Sequence, residues 1–294
     1  MNFYGKDLPV FKSALHTHTT TSDGKKSPQE TIALYAEAGY DVIVLSDHMK
    51  TNRIAKLDHC GMNVISGIEL FANGPREITW HVLAIGVPED FPGEKYDVQT
   101  AIDKINASGG LAYCAHPFWS GLTSAEILNY HGFAGTEVSN TSCRYIGRES
   151  SEECWSELIE AGMVIGALAV DDIHGMAEFN RNWTMIAAEK NTPEAIKEAL
   201  RNGQYYSTQG PEFYRLSLKD GFFEAEFSEA EEVIVTGRLA SGDCFACPGY
   251  PAPDDEFGIV TSLRAEITPR YKGVIRCRIK DTKGRYAWTN PIEV

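Results

Sequence analysis

Basic residues are scarce in this sequence, with 27 Lys and Arg against 41 Asp and Glu, a formal charge of −14 over 294 residues. Such a surface repels nucleic-acid backbones and anionic membranes, which argues against either as a partner. A phosphorylated small molecule is still compatible, because bound divalent cations reverse the local potential inside an acidic site. Long apolar runs are also missing. The N-terminal stretch MNFYGKDLPVFKSALHTH holds no segment of the length of a secretory signal or membrane span, so the expected location is the cytoplasm. Cysteine is sparse and odd in number: Cys60, Cys114, Cys143, Cys154, Cys244, Cys247 and Cys277 suit free thiols in a reducing compartment better than a disulfide framework. Cys244 and Cys247 form a Cys-x-x-Cys pair, but with no second pair nearby they read as two thiols in a loop, with a structural zinc as the alternative. Internal repeats and low-complexity tracts are absent.

What is present is an ordinary folding composition, 43% hydrophobic and 23% charged, enough for one large domain or for a barrel with a small appendage. Apolar β-rich runs alternate with helical patterns through the first two hundred or so residues, which predicts parallel strands joined by crossover helices. Strands are expected at Ser13–His18, Asp41–Asp47, Asn63–Leu70, Trp80–Gly86, Leu111–Ala115, Gly135–Ser139 and Val164–Val170. Ser27-Pro28-Gln29-Glu30 supplies an N-cap, a first-turn proline and a capping-box glutamate for a helix that Gly39 closes. Thr192-Pro193-Glu194 opens another, ending near Gly203. Further helices are expected at Val98–Ala107, Ser124–Tyr130 and Glu152–Ala161. After Tyr205–Pro211 helical periodicity gives way to short alternating segments at Phe213–Leu218, Phe222–Phe227, Glu232–Thr236, Val260–Ile267 and Val274–Lys280, with a proline-rich loop over 247–255. These predict a small antiparallel β domain over 210–294, following a domain over 1–209.

Residues able to bind metal recur where the expected strands end: Leu15-His16-Thr17-His18 followed by Ser22-Asp23-Gly24, then Asp47-His48, Glu69, His81, His116 and Asp171-Asp172-Ile173-His174. Two histidines at i and i+2 on extended backbone face the same way and can converge on one ion. A His-x-His alone reads sooner as a surface pair, so the recurrence carries the argument. In a β/α barrel the carboxyl ends of strands share one rim, which makes such remote groups neighbours. His59 and His131 fall elsewhere and read as loop or helix-surface residues.

Taken together, these motifs resemble those of the PHP (polymerase and histidinol phosphatase) superfamily of metallohydrolases, over roughly residues 13 to 175. Ala169–His174, Trp183, Tyr206–Pro211 and Ala287–Pro291 are similar to the branch named after CehA and McbA. The resemblance implies a distorted (β/α)7 barrel followed by a β-sandwich-like C-terminal domain. It also implies three metal sub-sites: His16, His18, Glu69 and Asp172 around the first ion, Glu69 bridging to a second held by His81 and His116, and Asp23, His48 and His174 around a third. Two or three zinc, manganese or iron ions fit that mixture of imidazoles and carboxylates. Asp47 and Asp171 are expected either to hydrogen-bond imidazoles or to serve as structural carboxylates, and Glu137 to face either an imidazole or substrate.

The chemistry so implied is attack by a metal-bound hydroxide held by Glu69, Asp172, His16 and His18, on a small-molecule substrate, a phosphate ester in the leading reading. Lys25, Lys26, Arg53, Arg144, Arg148 and Arg181 each read first as ordinary solvated surface charges and second as phosphate contacts, Arg144 and Arg181 first among the candidates. Two other readings compete: a carbamate or ester hydrolase on the same centre, and a catalytically silent binding protein.

Overall fold

The run Val42-Ile43-Val44-Leu45 is apolar at every position and buried at every position, as a strand covered on both faces must be. A computed structural model describes residues 1–248 and 258–294; the expected proline-rich loop lies, from residue 249 on, outside them. The chain is mixed α/β. Its main strands are β1 (Val10–Ala14), β2 (Val42–Leu45), β3 (Asn63–Asn73), β4 (Thr79–Ile85), β5 (Leu111–Cys114), β6 (Phe133–Asn140), β7 (Gly166–Val170), β8 (Trp183–Ala187) and β9 (Tyr205–Thr208), then β10 (Phe213–Lys219), β11 (Phe222–Ala230), β12 (Glu232–Gly237), β13 (Gly242–Ala246), β14 (Val260–Glu266), β15 (Val274–Lys280) and β16 (Tyr286–Thr289). The helices are α1 (Pro28–Glu37), α2 (Val98–Ala107), α3 (Ser124–Ile127), α4 (Glu152–Glu160) and α5 (Pro193–Arg201). No helix among the described residues is long and apolar enough to cross a membrane.

The large sheet runs β7-β6-β5-β4-β3-β2-β1-β8-β9-β16-β15-β12-β13. Strands β1, β2 and β3 are parallel, as are β5, β6 and β7. β4 departs from the expected all-parallel order, pairing antiparallel with both neighbours. Only residues 74–78 separate it from β3, and a parallel crossover takes a dozen residues or more. β8, which the sequence did not announce, pairs antiparallel with β1. β7 then returns to β8 through Thr184, whose hydroxyl donates to Ala169 O at 3.1 Å and lies 3.3 Å from Ala169 N.

Helix starts follow their local code. Ser27 and Glu30 close a capping box with Pro28 at the first helical turn, and Gly39 leaves the helix at φ +75°. Thr192 caps α5 through the Ala195 amide. α3 is one turn long, shorter than expected.

Beyond β9 the segments alternate as a half-buried strand should: β11 and β15 bury every second side chain over most of their length. Phe213, Leu216, Phe223 and Phe227 from one sheet and Val233, Val235, Ile275 and Ile279 from the other lie in one apolar cluster. The chain's first residues join this region, since Asn2–Phe3 pairs in parallel with β10 and Lys6–Asp7 extends the same sheet. A cut at residue 209 therefore separates segments that share a sheet.

Candidate metal centre

The site forms where extended chain runs on past the strands. β1 ends at Ala14, short of the expected His18, yet Thr17 makes a parallel bridge with Ile173 and His18 N donates to Ile173 O at 3.1 Å. Thr17 is anchored from behind: its hydroxyl donates to Val44 O at 2.6 Å and its amide to Ser46 Oγ at 2.9 Å. A second parallel bridge joins His48 to Glu69. These two pairings carry residues far apart in sequence to one end of the sheet.

At the centre lies the Glu69 carboxylate, fully buried. Its Oε1 is 2.8 Å from His81 Nδ1 and 3.2 Å from His116 Nε2. Its Oε2 is 3.2 Å from both His16 Nε2 and His18 Nε2, and 2.9 Å from His48 Nδ1. Asp172 Oδ1 sits 2.9 Å from His18 Nε2 and 3.4 Å from His16 Nε2, which are themselves 3.1 Å apart. Asp23 is exposed and lies farther out, 3.5 Å from His174 Nε2 and 3.6 Å from His18 Nδ1 and His48 Nε2.

These contacts have the size of a coordination shell. A tetrahedral ion with bonds of about 2.0–2.1 Å separates its ligand atoms by about 3.3 Å, and five of the six edges among His16 Nε2, His18 Nε2, Glu69 Oε2 and Asp172 Oδ1 run from 2.9 to 3.4 Å. Glu69 Oε2, Asp172 Oδ1 and His48 Nδ1 are nevertheless buried without a hydrogen-bond partner. Buried polar atoms seldom stay unpaired. Close approach without a hydrogen bond is what atoms aimed at a shared cation show, and the three groups that could each hold an ion are His16, His18 and Glu69; His48, Glu69 and His81; and His18, Asp23, His48 and His174.

The electrostatics agree. Burial by itself would push His16 and His18 down, but Asp172 and Glu69 outweigh it, raising His16 and holding His18 up to about 9. His116 is raised against burial by Glu69. Burial would raise Glu69 and Asp172, yet the surrounding imidazoles hold both below the usual carboxylate range. The buried acids Glu69 and Asp172 thus favour positive charge around them.

A cavity of about 240 Å³ opens over the cluster, lined by Asp23, His48, Glu69, His81, His116, Asp172 and His174 together with Trp119, Ser142, Cys143 and Tyr145. The sequence reading passed over these last four. Trp119 lies 4.9 Å from the His116 ring and donates to Tyr145 OH at 3.3 Å. Nothing in their local sequence separates them from ordinary loop residues.

Asp47 and Asp171 take the structural of their two expected roles, and Arg144 and Arg181 stand off the cavity. Asp47 touches no imidazole; it accepts from Thr19, Ser22 and Asn52, which fixes the loop after His18. Asp171 also touches none, accepting from Tyr35 OH and the amides of Asn180, Arg181 and Asn182. Both residues face away from the cluster that their neighbours His48 and Asp172 join. Arg144 and Arg181 do not line the cavity: Arg181 Nε donates to Ala177 O at 2.8 Å, and both cations act on Glu149, which burial raises. His59 and His131 lie outside the cluster, as expected.

No family model and no curated protein matches the chain. Among solved structures it is similar to a two-domain Bacteroides vulgatus protein containing a predicted PHP-like metal-dependent phosphoesterase, at 15% identity and a TM-score of 0.56, with 98% of this chain and 97% of that one covered. A lesion-specific endonuclease from Pyrococcus furiosus aligns over 66% of this chain and 56% of its own, at 18% identity and a TM-score of 0.50. At such identities the likeness is one of fold.

Proposed function

We propose that the chain is a metal-dependent hydrolase of the PHP type, and within that class a phosphoesterase acting on a small molecule. The observation that carries this reading is the set of close contacts among His16, His18, Glu69 and Asp172, in which the buried Glu69 Oε2 and Asp172 Oδ1 are left without a hydrogen-bond partner. His81 and His116 complete a second position across Glu69, and Asp23, His48 and His174 a third. Zinc, manganese or iron ions held there would supply an acidified water as nucleophile and positive charge for the oxygens that gain electrons. The protein's own part is to fix the donors: Glu69 links the two inner positions, and the burial of His16, His18 and Glu69 strengthens every charge interaction at the centre. The Bacteroides vulgatus likeness supports the class, because it spans both chains nearly end to end.

The same reading takes the β7-to-β8 contacts and the Thr17–Ile173 bridge as closure of a distorted barrel, with residues after 209 forming a sandwich-like domain that residues 2–7 complete. Seven free thiols support a reducing location.

A second reading has its own support. Neither Lys nor Arg is among the residues that line the cavity, while Trp119 and Tyr145 are, and a neutral aryl ester or carbamate needs no guanidinium. The deciding experiment supplies purified protein with manganese or zinc and compares aryl phosphates and nucleotide monophosphates with aryl carbamates and esters. Turnover of phosphates that Asp172→Ala abolishes supports the first reading. Turnover of carbamates alone selects the second, and activity undiminished in Asp172→Ala removes the cluster from both.

A further inference from the structure

Glu137 is fully buried on β6, and among the described residues it forms no ion pair with Lys or Arg. Its Oε1 lies 2.7 Å from His16 Nδ1, while its Oε2 accepts the His116 amide at 2.7 Å and Asn140 Nδ2 at 2.9 Å. The Asn140 amide also donates to Asp172 Oδ2 at 3.1 Å. We propose that Glu137, working with Asn140, is the positioning group that turns His16, His116 and Asp172 toward the metal centre and fixes which nitrogen of His16 is free to bind. The inference rests on the metal-centre reading above.

A neutral imidazole carries one proton. His16 Nε2 faces Glu69, Asp172 and His18 at 3.1–3.4 Å, so to donate a lone pair there the ring must keep its proton on Nδ1, and Glu137 Oε1 is the acceptor that holds it. The second oxygen acts on backbone. His116 has φ +25°, outside the usual range of an L residue, and donation of its amide to a carboxylate helps keep it there with Nε2 beside Glu69. Asn140 extends the reach to a third segment: by occupying Asp172 Oδ2 it leaves Oδ1, the partnerless oxygen, facing His16 and His18. Asp172 is itself at φ +52°. One carboxylate thus sets three candidate ligands on three separate stretches of chain.

Glu137 is also a third buried carboxyl group beside Glu69 and Asp172. Burying acidic groups together is costly unless cations balance them, which ties Glu137 to ion affinity through its acidity as well as direction.

The test uses the full chain stripped with a chelator, titrated with zinc and with manganese by calorimetry, as wild type, Glu137→Gln and Glu137→Ala. Affinity should fall in that order, by about 10- to 100-fold for Ala. Gln is nearly isosteric, keeps an acceptor for His16 and loses the charge, so it reports even if Ala does not fold. In zinc-loaded protein labelled with ¹⁵N-histidine, the wild-type His16 proton should reside on Nδ1 and resonate far downfield, and that signal should be lost or moved in the variants. Wild type that binds zinc while Gln binds it with equal affinity and stoichiometry overturns the inference alone, as does a His16 proton on Nε2. Wild type that binds neither ion overturns the metal-centre reading beneath it.

Discussion

Thr17 and Ile173 pair in parallel three residues beyond the ends of two strands that are not neighbours in the sheet, β1 and β7. On extended backbone alternate side chains share a face, as those of His16 and His18 do, and the bridge brings that face against Asp172 and His174. Thr17 itself points the other way, to Val44 O. Thr17→Val keeps the shape and removes the buried hydroxyl donor. It should cost about 1–3 kcal/mol of stability and weaken zinc binding as well, because the segment carrying His16 and His18 loses its anchor. Denaturant unfolding and zinc titration check both, and unchanged zinc affinity would uncouple the bridge from the centre.

Rising pH should weaken the metal-free protein and strengthen metal loading. Burial by itself would strip the proton from His18, but Asp172 and Glu69 hold it up to about 9 in metal-free protein, above the value near 6.5 of an unfolded chain. The folded state then binds the extra proton, so this contribution is complete below about pH 6.5 and lost as pH rises through about 9. His16 and His116, also raised, add in the same sense. Divalent ions require neutral imidazoles, so protons compete with them and loading strengthens as pH rises. The Tm of chelated protein should therefore fall between pH 6.5 and 9 while the gap between loaded and chelated protein widens. A gap that narrows over this range would contradict the arrangement.

The positions of the candidate ligands were legible because strand ends are marked by composition: Leu45-Ser46-Asp47-His48 and Ala169–His174 each change from apolar to polar within a residue or two. Helices with cap and stop residues, α1 and α5, were legible for the same local reason. β8 and β9 were not, since Trp183–Ala187 and Tyr205–Thr208 become strands by finding partners rather than by pattern. The antiparallel turn of β4 depended on loop length, which a reading of apolar runs does not weigh. The roles of Asp47, Asp171 and Glu137 depend on which way each faces. Asp47 and Asp171 stand next to candidate ligands and face loops, whereas Glu137 is remote in sequence from His16 and touches its ring.

Arg144 and Arg181, chosen from sequence as phosphate contacts, are exposed, and Arg181 Nε donates to Ala177 O. Interactions of such exposed charges are worth about 0–1 kcal/mol. Arg144→Ala and Arg181→Ala should each leave stability within about 1 kcal/mol and change KM for an aryl phosphate by less than about threefold, a factor below 1 kcal/mol. A rise in KM of tenfold or more in either variant would mean that its guanidinium swings into the cavity when substrate binds.

Gly24 follows Asp23 and packs on the chain it must meet. A side-chain carbon there would stand 2.5 Å from the carbonyl carbon and oxygen of His18 and 2.6 Å from Thr19 N, closer than non-bonded atoms approach, and those atoms are backbone with no rotamer to turn. Gly24 N also donates to Thr19 O at 2.9 Å, closing the loop that holds Asp23 near His18, His48 and His174. Gly24→Ala should therefore displace Asp23 while the inner cluster of His16, His18, Glu69 and Asp172, tied by the Thr17 bridge and by Glu137, stays in place. The expected result is protein that binds one divalent ion fewer than wild type, or binds the last one at least tenfold more weakly, a difference of about 1.4 kcal/mol, with the tighter ions unaffected. Elemental analysis after dialysis and stepwise calorimetry distinguish this from general loss. Equal weakening of every ion would show that the loop and the inner cluster move as one.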